Sequence, residues 1–124
     1  MATLSSALRS GLGCGLLTLA MASPARAESR FIPLGDLPGG AFASVAHAVS
    51  NDGTTVVGAG ESASGQEAFR WTTEGGMQEL GDLPGGAFQS VAYGVSVDGA
   101  IVVGGSASAN GDEAFRWSAP DGMT

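Results

Sequence analysis

The chain has 124 residues and a net charge of −7, which suits one small acidic domain. Its five basic residues are all arginine, and only Arg30, Arg70 and Arg116 lie beyond residue 27, against all 12 carboxylates. A surface of this sign repels phosphate backbones and anionic lipid heads, which excludes nucleic acid and membrane surfaces as partners.

Residues 1–27 read as a secretory signal peptide. Arg9 supplies sparse positive charge, "GLGCGLLTLAMA" an apolar core shorter than a membrane span, and Ala25-Arg26-Ala27 a small-residue cleavage site. Cleavage there leaves a mature domain of residues 28–124 that is secreted, periplasmic or on the bacterial surface, with no membrane insertion. The single cysteine, Cys14, falls inside the leader. The mature part therefore has no disulfide, thiolate nucleophile or cysteine metal ligand.

After a first strand at 31–37 ("FIPLGDL"), the chain repeats itself. A shift of 46 residues aligns Leu34–Gln78 with Leu80–Thr124 without a gap, and about two-thirds of the pairs are identical. Repeat 1 covers about residues 34–79 and repeat 2 about 80–124. Such a period is typical of propellers, solenoids and related arrays.

Each unit predicts four short strands. "SVAHAVS" (Ser44–Ser50) puts Val45, His47 and Val49 on one face and only small side chains on the other, as does its copy "SVAYGVS". Asp52-Gly53 and Asp98-Gly99 mark tight turns. A β-branched strand follows, then "EAFRW", which sets Phe69 with Trp71, and Phe115 with Trp117, as the repeated aromatic core. The outgoing strand "GMQELGDL" ends in Pro38-Gly39-Gly40 or its copy, read as a reversal into the next unit. Eighteen of the 21 glycines lie beyond residue 27, which argues against helix. The expected fold is all-β, with antiparallel four-stranded blade-like repeats. It is propeller-like but incomplete at about two blades, which makes it a fragment of a longer array, a protomer that completes a ring, or an open pair of sheets that self-associates through its edges.

The pattern "LGDLPGG…S.A..VS.DG..VVG.......EAFRW....GM" resembles the HAF-type probable extracellular repeat of bacterial secreted and surface proteins. The resemblance covers nearly all of residues 31–124 and implies an exported β-repeat without established enzymatic activity.

Groups present at the same place in both units follow from the shared fold. Asp52 and Asp98 serve the turns, with weak Ca²⁺ binding as the alternative, and Asp36 and Asp82 read the same way. Glu67 with Arg70, and Glu113 with Arg116, read as ion pairs. The tryptophans read as core rather than sugar platforms. His47, the only histidine, has Tyr93 as its counterpart in the repeat, a swap between two flat rings, and has no partners for zinc or for a catalytic triad. Specificity belongs to positions that differ between units: Glu61, Gln66, Gln89, Tyr93, Asn110 and Asp112. The sequence reads as a non-enzymatic scaffold, with no cofactor, for an extracellular protein or glycan. A piece of a glycan-acting or other hydrolytic propeller, and a truncated repeat without independent function, are the alternatives.

Overall fold

A computed structural model describes residues 28–124; the expected signal peptide at 1–27, with Cys14, lies outside the described residues. The described residues divide at Ile32 into two units, 28–32 and 33–124. In the first, described residues 28–32 carry no regular structure. The second is an all-β sheet of eight strands curled into a half-barrel, and no helix occurs among the described residues.

The strands are β1 (Gly39–Val49), β2 (Thr55–Ser62), β3 (Gly65–Thr72), β4 (Gly76–Glu79), β5 (Gly85–Val95), β6 (Ile101–Ser108), β7 (Gly111–Ser118) and β8 (Gly122–Met123). β5, β6, β7 and β8 each start 46 residues after β1, β2, β3 and β4. Within each set neighbours are antiparallel. The sets meet where β3 pairs in parallel with β5 at Gln66 and Gln89. β3 thus has β4 against its C-terminal half and β5 against its N-terminal half, and the one parallel bridge to β5 joins the two sets into a single eight-stranded sheet.

Two expectations change. Residues 31–37 do not form a strand. Pro33 has no amide hydrogen to offer a ladder, and Gly35 takes φ +93°, a left-handed value incompatible with extended chain. The segment bonds across a tight arch instead: Ser44 Oγ donates to the Gly35 carbonyl at 2.9 Å, and the Ala43 amide to Asp36 Oδ2 at 3.0 Å. Second, Gly39 and Gly40 already belong to β1: the turn is confined to Pro38 and a left-handed Gly39 (φ +90°), preceded by the left-handed Gly35, and Gly81 and Gly85 (φ +85° and +95°) take the same places in the copy.

The small face of β5 is the buried one: Ser90 and Ala92 are both 0% exposed. Close approach is what the small side chains permit. A Cβ on Gly58 would overlap the Val45 carbonyl oxygen, and one on Gly104 the Val91 carbonyl oxygen and the Phe115 ring. The contiguous core joins both sets through Val57, Ala68, Leu80, Ala92, Val102, Phe115 and Trp117. Phe69 is buried, but Trp71 is only half-buried and lies outside that cluster. The two tryptophans share backbone partners, Val56 and Met77 against Val102 and Met123, yet differ in burial because the core is centred on the junction and the second set.

Phe69→Ala is expected to cost about 3–5 kcal/mol, whereas Phe42→Ala, at a ring left 88% exposed, stays within about 0.5 kcal/mol in dilute solution. Gly58→Ala is expected to destabilise by about 1–3 kcal/mol through backbone displacement. Urea unfolding followed by tryptophan fluorescence measures all three.

Candidate functional site: a groove at the junction of the two strand sets

The sequence LGDL at Leu80–Leu83 connects the strand sets, and three of its amides and the Gly81 carbonyl bond to strands of both sets. The Leu80 amide donates to the Ala68 carbonyl at 3.0 Å and the Gly81 amide to Glu67 Oε1 at 2.9 Å. The Leu83 amide donates to Ser106 Oγ at 2.9 Å. Ser90 Oγ accepts from the Ala68 amide at 2.9 Å and donates to the Gly81 carbonyl at 2.5 Å. Arg70 Nε donates to the Gly99 carbonyl at 3.0 Å, tying the second Asp-Gly turn to β3.

These partners replace the expected ion pairs. Residues three apart in a strand point to opposite faces, so Glu67 and Arg70 cannot meet along β3. Glu67 is buried against Gly81 instead, and its copy Glu113 is exposed and bonds Ser108 Oγ and, at 3.4 Å, Asn110 Nδ2. Arg116 pairs with Asp121 at 3.8 Å, half exposed.

The junction opens a groove of about 430 Å³ between β1 and β5. Glu61 and Gln66 are directly opposed on β2 and β3, and Gln66 is paired in turn with Gln89 on β5, so the three form one row across three strands. Gln89 Nε2 lies 3.5 Å from Gln66 Oε1, at the outer limit of a hydrogen bond. Above this row His47 and Tyr93 face each other, ring centroids 5.3 Å apart and tilted by 50°. Both are bulge residues. Ala46 and Ala48 pair with consecutive residues Gly58 and Val57, and Ala92 and Gly94 with Gly104 and Val103, leaving His47 and Tyr93 without a partner in the ladder. An extra residue of this kind bends the strand and redirects its side chain. Tyr93 remains 61% exposed, so its face is open to a ligand.

A second, smaller groove of about 210 Å³ is lined by Gln89, Val91, Tyr93, Gly105, Ser106, Ala107 and Asp112. Of the six variable positions, Glu61, Gln66, Gln89, Tyr93 and Asp112 therefore line these two neighbouring grooves. Asn110 does not: it sits at the β6–β7 turn, its amide on Ser108 Oγ at 3.1 Å. His47, which the sequence gives no ligand or catalytic partner, lines the larger groove. The bulge that aims it leaves no obvious mark in the alternation of β1, although the glycines Gly58 and Gly104 opposite both bulges are such a mark in retrospect.

The turn aspartates each bond locally through Oδ1. Asp52 Oδ1 accepts from Ser50 Oγ (2.6 Å), the Thr54 amide (3.0 Å) and Thr54 Oγ1 (2.7 Å). Asp98 Oδ1 accepts from Ser96 Oγ (2.7 Å) and the Ala100 amide (3.0 Å). Gly53 and Gly99 follow at φ +77° and +78°. Among the described residues no cluster of histidine, cysteine and carboxylate ligands is placed to hold a metal ion, and no helix is long and apolar enough to cross a membrane. No family model, curated protein or solved structure matches the chain.

Hydroxyl and amide donors, the serine hydroxyl first in each case, lower the pKa of Asp52 and Asp98. A lowered folded-state pKa means that their contribution is fully present above the unfolded value and is lost as pH falls through the folded one. Glu79 acts in the opposite sense: loss of hydration and then the nearby Glu67 raise its pKa, so its contribution fades as pH rises through the folded value. Melting temperature is expected to fall below about pH 4, and the double variant Asp52→Asn, Asp98→Asn to show a flatter acid limb in a pH series followed by circular dichroism.

Proposed function

We propose that this chain is an exported, non-enzymatic β-repeat module of HAF type, its two strand sets being successive blade-like units, and that it binds a glycan in the groove under His47 and Tyr93. The observation that carries the reading is the convergence on one groove of two bulge-aimed rings with the Glu61, Gln66 and Gln89 row. Sugar rings present apolar C–H faces and a rim of hydroxyls. An aromatic face meets the first, and planar amides and a carboxylate, which donate and accept in fixed directions, meet the second.

Export is supported by the leader pattern at 1–27, and the module reading by the 46-residue self-similarity together with the matching strand offsets. Binding is favoured over hydrolysis by the composition of the wall. Glycoside hydrolysis uses two flanking carboxylates, and Glu61 is the one carboxylate that lines the larger groove. Residues that differ between otherwise matching units suit selection for contact rather than for folding.

Titration with a panel of neutral oligosaccharides, followed by isothermal calorimetry, tests the ligand class. Tyr93→Ala is expected to weaken binding about fivefold or more, Tyr93→Phe to retain most of it, and Asn110→Ala to leave it unchanged. Absence of binding across the panel, or indifference to Tyr93→Ala, would overturn the glycan reading. Intact mass of material recovered outside the cytoplasm is expected to correspond to a chain starting at Glu28; a retained Met1 there would overturn the leader.

A further inference from the structure

The two grooves are the same site at two stages of completion. Moving the inner wall of the larger groove forward by 46 residues turns Val45, His47, Ala59, Glu61 and Gln66 into Val91, Tyr93, Gly105, Ala107 and Asp112, which line the smaller one. The larger groove has an opposite wall, the β5 residues Gln89, Val91 and Tyr93. Among the described residues no segment lines the smaller groove on that side.

We infer that a second copy of this chain supplies that wall, docking its β1 against β7 of the first as β5 docks against β3 within one chain. Every element of the internal junction has an unused counterpart at the two open ends. On the trailing side, Ala68 is 0% exposed under the junction and Glu67 is buried, but Ala114 and Glu113 are exposed. On the leading side, Ser90 and Ala92 are 0% exposed, but Ser44 and Ala46 are exposed. The backbone surfaces show the same asymmetry. The Phe88 carbonyl covers Gly65, while Gly111 has nothing near it; Thr55 covers Gly99, while Gly53 stands open.

The register follows from the internal contacts. Ser44 Oγ, already donating to the Gly35 carbonyl as Ser90 does to Gly81, has a lone pair for the Ala114 amide of the neighbouring copy. Glu113 takes the Gly35 amide, as Glu67 takes that of Gly81, after releasing Ser108. Arg116 takes the Gly53 carbonyl, as Arg70 takes that of Gly99. Phe42, Val45 and Val49, between 57% and 88% exposed in one copy, gain the cover that leaves Phe88, Val91 and Val95 half-buried. The contact is head-to-tail rather than two-fold, because the joined faces differ, so it propagates into rings or longer arrays. Each addition completes one more groove, with His47 of the incoming copy facing Tyr93 of the previous one. The net charge of −7 per copy opposes association, and added salt relieves it.

The inference rests on the module reading but not on the ligand class, so ligand titration and mass measurement fail independently. Sedimentation equilibrium of the purified full chain over a wide concentration range at about 0.15 M and 0.5 M salt measures it. The weight-average mass is expected to rise with concentration, and more steeply at the higher salt. Ala46→Arg places a long cation where only a methyl group fits, and Ala114→Arg does so on the other face. Both sites are exposed in one copy, so circular dichroism melts should match the parent. Each variant alone is expected to lose self-association at least about tenfold, and an equimolar mixture to form a one-to-one dimer and nothing larger, since each retains the face the other lacks. If either variant melts early, Val45→Lys and Glu113→Lys replace the pair. A parent chain that stays at the mass of one copy, a single variant that associates like the parent, or a mixture that does not pair would each overturn the proposal.

Discussion

The Ser90 hydroxyl is the point on which the junction depends. It lies on β5, is fully buried, and accepts from the β3 amide of Ala68 while donating to the Gly81 carbonyl of the connecting segment. A hydroxyl can do both at once, and an apolar replacement would leave a buried amide and a carbonyl unpaired, at about 1–3 kcal/mol for each group. Glu67, Arg70 and the Leu80 amide add bonds around it, so a connection of five residues holds two strand sets in one orientation. Hydrophobic burial supplies bulk cohesion through Val57, Leu80, Val102, Phe115 and Trp117, but it is the directional polar bonds that choose the angle.

That angle creates the site. With β1 and β5 held at neighbouring positions on a curled sheet, the bulges at residues 47 and 93 bring two rings within contact distance, and the amide row lies beneath them. The larger groove draws its walls from both sets, β1, β2 and β3 on one side and β5 on the other, and so exists only where the sets meet.

Much of this architecture was legible in the chain. The local pattern and the 46-residue shift placed β2, β3, β6 and β7 to within a few residues, because Asp-Gly turns and β-branched runs are local signals that the tertiary structure had no reason to override, whereas β1 and β5 start five residues ahead of Ser44 and Ser90. The small face of "SVAHAVS" anticipated close packing, and Ser90 and Ala92 pack closely. Errors arose where a long-range bond competes with local pattern. Residues 31–37 look extended, but Asp36 and Gly35 bond to β1 through an arch. Glu67 and Arg70 look like a pair until pleating separates them and sends each to a backbone partner at the junction. Five of the six variable positions line the grooves, whereas Asn110 joins a turn, a distinction that sequence difference alone cannot draw.

The placement of the arginines has a further consequence. With no lysine in the chain, trypsin can act beyond residue 27 only at Arg30, Arg70 and Arg116. Arg70 is clamped between Val57 and Gln78 on flanking strands, and the Arg116 amide and carbonyl are both bonded to Thr124. Proteases need several residues of free, extended backbone to bind, and neither site offers that while the ladders hold. Arg30 lies outside every strand. Digestion under native conditions thus trims the chain to a core from Phe31 onward, and the appearance of cuts at Arg70 or Arg116 reports the opening of β3 or β7 specifically.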